Sequence, residues 1–322
     1  MDSANKQVIC PVCGSEDVKF FCFGYDMLYK MTPDKFSILE CNKCSALFIN
    51  PFLNQEQASK FYPQNYYSYE ISNQPKGFFE NLKSKIIDYH TNSEAKFDLF
   101  DRILIMIFKN KFSGVPLYRK EGGKFLDIGC GSGANLKTVK EYGWEAYGIE
   151  LDEKAVKYAK KNGFNVECAS LEKATFPIRF DSIRIWHVFE HLTNPNAALR
   201  KISQLLKDDG EILMAVPNSD SFSRMIFESY WYNLDVPRHV VNYCPRTLRY
   251  LCEKNNLRIE KIIYASCGSY VGSISNFLKY NFGIKRNLID NIFLVILFSP
   301  LDFLSDFFKK GDTIFITLKK NH

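Results

Sequence analysis

The chain has 322 residues, 42 Lys plus Arg against 36 Asp plus Glu, and a formal net charge of +6. Apolar residues make up 46% and aromatics 15%, which excludes a disordered chain and allows a sizeable core in one large domain or two. A surplus of +6 over this length does not favour nucleic acid and suits anionic substrates or a membrane surface equally.

The N-terminal MDSANKQVIC has no long apolar core, and no run of about 18 apolar residues occurs anywhere, so neither a signal peptide nor a spanning helix is expected. Ten cysteines, two pairs of them at metal-ligand spacing, point to a reducing, cytoplasmic setting. Residues 1–50 carry Cys10, Cys13, Cys41 and Cys44 as CPVC and CNKC, with β-prone VKFFCF and FSILEC between them. Each C-x-x-C knuckle can offer two thiolates, and four close a tetrahedral, structural zinc site. An iron–sulfur cluster or a reduced, metal-free set are the alternatives. Residues 51–119 read as an aromatic connector followed by helical segments around FFENLKSKIIDYH and FDLFDRILIMIFKNKF.

From residue 120 to 322, short apolar strands alternate with helices, the pattern of an α/β fold with a parallel sheet. Strands are expected at 124–129, 146–151, 165–170, 180–186, 211–217, 258–265 and 313–320. Helices between the early strands should stop at Gly143, Gly163 and Gly210. An apolar, helix-like insertion occupies 270–310.

The first of these strands runs into FLDIGCGSG, with Asp127, Gly129, Gly131 and Gly133 ahead of a helix. Alternate glycines let the backbone turn sharply and approach a ligand. The spacing is G-x-G-x-G, and no GK[ST] follows, which disfavours a P-loop. Asp127 would repel a pyrophosphate but could accept from a cationic amino-acid head group. Glu150, about 20 residues on at the end of the second strand, can accept both ribose hydroxyls.

This combination resembles the class I S-adenosylmethionine (SAM)-dependent methyltransferases, with a Rossmann-like seven-stranded sheet and an N-terminal zinc ribbon added. The resemblance implies that Asp127, Gly129, Gly131, Ser132 and Gly133 line the methionine and ribose side. It implies Glu150 on the ribose, Leu151 against adenine, and Cys168, Ala169, Ser170 and Leu171 near the adenine edge. An Asp that the family often has near this last place is absent, leaving adenine recognition to backbone groups.

The fourth strand delivers WHVFEHLTNP to the carboxyl edge of the sheet, where such folds bind ligands. His187 and His191 are candidate bases there, since an imidazole suits removal of a proton from a hydroxyl or carbon acid. The plainer alternative is that Glu190 and His191 begin a helix as a cap. After the fifth strand, residues 217–248 concentrate Trp231, Tyr232, Asp235, Arg238 and His239. They form either a substrate platform, with Arg238 on an acceptor anion and His239 as a third candidate base, or a lid in which Arg238 pairs with Asp235. Asp235-Val-Pro-Arg-His239 resembles a segment of methyltransferases found with cell-surface polysaccharide genes.

The expectation is therefore a SAM-dependent methyltransferase acting on a small-molecule acceptor, a sugar or nucleotide-linked sugar in surface polysaccharide biosynthesis. Quinone- or phenol-type O-methylation is the rival, and an RNA methyltransferase recruited by its zinc ribbon is less favoured. The insertion at 289–308 is either a plain helical subdomain packing on 103–108 or an interfacial surface at the inner face of the membrane.

Overall fold

A computed structural model describes residues 8–63, 78–91, 95–108, 121–284 and 286–321. The aromatic connector at 64–77 and the lysines at 109 and 111 lie outside the described residues.

Three N-terminal strands, β1 (Val18–Tyr25), β2 (Lys35–Cys41) and β3 (Leu47–Asn50), form an antiparallel meander. Helices α1 (Gln55–Ser59), α2 (Phe78–Thr91) and α3 (Leu99–Phe108) follow, and α2 packs on α3 through Leu82, Ile86 and Ile105.

The larger sheet then builds from β4 (Lys124–Ile128), α4 (Ala134–Glu141), β5 (Glu145–Glu150), α5 (Glu153–Lys161), β6 (Asn165–Cys168), β7 (Phe180–Trp186), α6 (Pro195–Leu205) and β8 (Leu206–Pro217). Next come α7 (Phe222–Phe227), the two-residue strand β9 (Val241–Asn242), α8 (Pro245–Lys254), β10 (Leu257–Ala265), α9 (Ser269–Phe282), α10 (Ile292–Phe307) and β11 (Thr313–Lys320). The sheet order is β10-β11-β8-β7-β4-β5-β6, seven strands with β11 alone antiparallel to its neighbours. This is the mixed α/β arrangement expected for residues 120–322. The crossover reverses between β4 and β7, and that switch point is where an open sheet offers its ligand crevice.

Sequence expectations hold for strand existence and depart at two places. The helix expected to run to Gly210 stops at Leu205. Leu206 pairs with Phe180, Lys207 bonds Asp181, and the β7–β8 register slips between Phe180 and Ser182, so strand pairing claims the residues that helical spacing suggested. The insertion is helical as expected, but α10 packs chiefly on α9 and β10, while α3 is paired with α2.

The cysteine module is not a separate bead. Strand β9, from the loop after β8, adds to the N-terminal meander through Leu47↔Asn242 and Phe48↔Val241. One apolar cluster runs from Ile38 and Phe48 to Ile128, Ile183 and Met214 of the large sheet. Burying that many Ile, Val and Phe side chains, each worth roughly 2 kcal/mol of transfer free energy, fixes the module against the carboxyl edge.

Candidate active site

The glycine hairpin between β4 and α4 has left-handed φ at Gly129 (73°), Gly131 (53°) and Gly133 (88°). A Cβ on Gly129 would lie 2.4 Å from Val188, and one on Gly133 would lie 2.9 Å from Phe164, so the turn is closed to larger residues. Cys130 is buried with its sulfur packed against Gly148, a packing role rather than a nucleophile. Glu150 clasps the hairpin from β5. Its Oε2 accepts from Gly131 N–H at 2.9 Å, and Oε1 accepts from the Leu151 and Asp152 N–H groups at 2.6 and 3.0 Å. A carboxylate has about four acceptor positions, so one is left for a ribose hydroxyl. Leu151 is 57% exposed beside it, Cys168 is exposed, and Ser132, Ala169 and Ser170 are half-buried along the same edge. These groups fit SAM: a cradle for its backbone side, a carboxylate for the ribose and an apolar face for the adenine.

Two cofactor expectations are corrected. Asp127 is fully buried, and both its oxygens accept from Arg184 Nη1, at 2.9 and 3.1 Å. It props the hairpin from below instead of meeting a cofactor ammonium. Leu171 is buried in the core cluster, so its side chain does not reach the crevice.

His187 stands at the end of β7 with a φ of 53°, a left-handed conformation that costs a residue carrying a Cβ roughly 1–2 kcal/mol. Its N–H is held by the Ala215 carbonyl at 3.0 Å, and its side chain is 37% exposed. Nδ1 lies 3.3 Å from Glu190 Oε1. The carboxylate accepts, so the proton is assigned to Nδ1 and Nε2 keeps its lone pair.

Glu190 is not a helix cap. Residues Phe189–His191 form a short 3-10 turn, α6 begins only at Pro195, and Glu190 is fully buried. Burial pushes its carboxyl up, but the His187 hydrogen bond and the nearby His187, His239 and His191 outweigh this and hold it at about 2. His191 is pulled down to about 4 by burial and by the charge His239 can carry. Its Nδ1 donates to the Arg238 carbonyl at 3.0 Å, with Tyr62 Oη 2.9 Å away. His239 donates from Nδ1 to the Asn233 carbonyl at 2.8 Å, and its Nε2 faces Glu190 at 3.9 Å and Asp235 at 3.8 Å. The three candidate histidines are thus brought together around one buried carboxylate.

The substrate-platform expectation is corrected for Trp231, Asp235 and Arg238. Trp231 is 1% exposed and donates to Asp312. Arg238 is 0% exposed, bonded to Asp235 at 2.5 Å, to Asp26 at 2.8 Å and to the Phe61 carbonyl at 3.2 Å. Arg238 holds the Asp235 carboxyl below its usual range despite burial. The loop is a packed brace in which Arg238 presents its carbonyl, not its guanidinium, to the site. Tyr232 is half-buried against Gly272 of α9. Sequence reasoning missed Asp26, Tyr62 and Arg184, each remote in the chain from the residue it holds.

At the opposite side of the module, Cys10 and Cys44 sulfurs lie 3.6 Å apart and those of Cys13 and Cys41 3.5 Å apart, all four within 4.8 Å of one another. Disulfides would need about 2.05 Å. Tetrahedral zinc with bonds of about 2.3 Å needs sulfurs about 3.8 Å apart, so the four thiols fit a closed zinc site.

Residues 104–262 match the family model described as "Methyltransferase domain". A ubiquinone biosynthesis O-methyltransferase of Azoarcus sp. (strain BH72) is 29% identical over 133 residues, 39% of this chain and 54% of that protein. Its counterpart from Idiomarina loihiensis is 24% identical over 191 residues, 56% of this chain and 76% of that protein. The chain therefore spans about half the length of the first of these relatives. Among solved structures, the O-methyltransferase from a Brevibacillus brevis trans-AT PKS multienzyme, in complex with S-adenosyl-L-homocysteine, aligns with a TM-score of 0.43 and 17% identity over 62% of this chain and 67% of that one. A SAM-dependent methyltransferase from Mesorhizobium loti aligns with a TM-score of 0.44 and 15% identity over 66% of this chain and 98% of that one.

Proposed function

We propose that the chain is a SAM-dependent methyltransferase that methylates an oxygen of a small-molecule acceptor, a sugar or nucleotide-linked sugar being the leading class. The carrying observation is the glycine hairpin clasped by Glu150 beside His187, at the switch point of a seven-stranded sheet. The family match over 104–262 supports the same reaction class.

When bound, SAM supplies an electrophilic methyl on a sulfonium. Glu150 and the backbone of Gly129–Gly133 orient it, and Asp127 with Arg184 keeps the hairpin rigid beneath it. His187 Nε2 takes the proton of the acceptor hydroxyl as the oxygen–methyl bond forms. The bound SAM would supply that methyl and keep the electron pair of its carbon–sulfur bond. Glu190 orients His187 and stabilises the imidazolium that results.

The sugar reading is supported by the Asp235–His239 segment and the four-cysteine module. These are joined here into one structure by β9 and by Asp26 on Arg238. A second reading, methylation of a phenolic or quinone-derived hydroxyl, is favoured by the relatives named as ubiquinone biosynthesis O-methyltransferases. Incubation with methyl-labelled SAM and two acceptor panels, nucleotide sugars and catechols, separates them. Label in nucleotide sugars alone supports the first reading, and label in catechols alone replaces it with the second.

Among the described residues no helix is long and apolar enough to cross a membrane. Helix α10 nevertheless carries its polarity inside out. Asp302 and Ser305 are buried, and Asp306 bonds Ser266. Phe293, Ile296, Leu297, Leu301, Phe303, Leu304 and Phe307 are 42–80% exposed and share an arc of about 160°. No acid lies on that arc, and the exposed Lys309 follows just beyond the helix. This pattern fits peripheral contact with an anionic bilayer, and hence an acceptor carried on a lipid.

A further inference from the structure

The group around Glu190 has a charge problem that the base mechanism does not resolve. Asp26, Asp235 and Glu190 are carboxylates with side chains buried to at least nine-tenths, and they are set against one guanidinium, that of Arg238. Buried carboxylates in excess of the guanidinium that pairs with them are stabilised by a further cation beside them, a proton on a histidine or a metal ion. The tautomers sharpen this. The Asn233 carbonyl fixes the His239 proton on Nδ1, which leaves the Nε2 lone pair pointing at the Glu190 and Asp235 carboxylates 3.9 and 3.8 Å away. Either a proton on Nε2 or a metal ion between them would meet both carboxylates favourably. His191 is fixed in the same way by the Arg238 carbonyl. Glu190 Oε2 is buried and has no hydrogen-bond partner.

We propose that Glu190, His191 and His239 form a binding site for a divalent first-row metal ion, separate from the four-cysteine site. One ligand atom from each lies within 4.8 Å of the others. Ligands about 2.1 Å from a shared ion sit about 3–4 Å apart, so the set needs only a small inward movement to close. Two imidazoles and a carboxylate suit manganese, iron, cobalt, nickel or zinc, whereas four thiolates select zinc. Carbonyls that fix the far ring nitrogens, here those of Asn233 and Arg238, are the usual outer support of metal-binding histidines. Three protein ligands leave coordination positions for others. The chemical class that would fill them is an acceptor with adjacent oxygens, a sugar diol or a catechol, whose hydroxyl becomes more acidic on coordination. The site goes beyond the transferase reading and is tested without cofactor or acceptor.

The full-length chain, purified with its cysteine site filled by zinc, is titrated with cobalt(II) and followed by absorption and by metal analysis. The expected result is one further equivalent per chain, with d–d bands but no thiolate charge-transfer band, and a raised melting temperature. His239→Gln and Glu190→Gln should each weaken this uptake at least tenfold. Circular dichroism and the retained zinc show whether each variant is folded. A variant that fails to fold is replaced by His191→Gln, held to the same standard. No uptake beyond the zinc, uptake with thiolate bands, or uptake undiminished in the folded variants would each overturn the proposal. S-adenosylhomocysteine binding, measured on the same samples, reports separately on the transferase reading.

Discussion

Asp26 of the cysteine module lies 2.8 Å from the guanidinium of Arg238, 212 residues away, in a fully buried ion pair. Because the Arg238 carbonyl holds His191 and the next residue is His239, this pair ties the placement of the N-terminal sheet to the histidine group. Asp26→Asn removes a charge-assisted bond and should cost about 1.5–3 kcal/mol of stability. The turnover number should fall at least tenfold, while S-adenosylhomocysteine affinity, set at the hairpin, stays within about twofold. Thermal unfolding and calorimetry check the two halves.

In the proposed reaction His187 carries the proton-transfer step. His187→Ala should lower the turnover number by about 10²–10⁴, with the acceptor KM changed by less than about threefold. His187→Ala should also relieve the strain at a φ of 53° only in part, since Ala disfavours that region too. Steady-state kinetics with the identified acceptor decide this. A parallel rise in KM with an unchanged turnover number would make His187 a binding residue.

Glu150 closes the hairpin and, in the proposed reaction, would also hold the ribose. Glu150→Gln keeps the shape but loses charge on three backbone N–H contacts, a loss of about 1.5–3 kcal/mol. Cofactor affinity should therefore drop by about 10–150-fold, read by calorimetry, with the zinc content unchanged.

Much of this was legible because the signals are local. The alternate glycines, the two cysteine pairs and the seven apolar runs each lie within a few residues: the glycines form a turn, the cysteines cluster and the runs form strands. The placement of His187, His191 and His239 at the carboxyl edge follows from strand order. What sequence could not convey was pairing across the chain. Arg184 neutralises Asp127 from 57 residues away, Tyr62 touches His191 from 129 away, and Asp26 claims Arg238. Those distant partners turned a supposed cofactor ligand and a supposed substrate clamp into buried supports. Helix α6 ends early for the same reason, because Leu206 finds a strand partner in Phe180.

The apolar face of α10 predicts vesicle binding. The chain should co-sediment with anionic phosphatidylglycerol vesicles at low salt and much less with neutral phosphatidylcholine. Phe303→Glu together with Phe307→Glu, both on the exposed arc, should abolish this without lowering the melting temperature by more than a few degrees. Self-association in ultracentrifugation without vesicle binding would assign the face to a second copy of the chain instead.

Stripping the four-cysteine site should dismantle β1–β3 and, through β9 and Asp26, disorder the catalytic histidines. A thiophilic reagent that ejects the metal should abolish methyl transfer while binding of S-adenosylhomocysteine at the distant hairpin persists. Retained transfer after complete metal loss would uncouple the module from the reaction.

The account stands most directly on titration calorimetry of the zinc-loaded chain with S-adenosylhomocysteine. It predicts one saturable site per chain, weakened at least tenfold by Gly131→Val at a glycine whose φ is 53°. Absence of any heat, or binding that the hairpin variant leaves untouched, would contradict it.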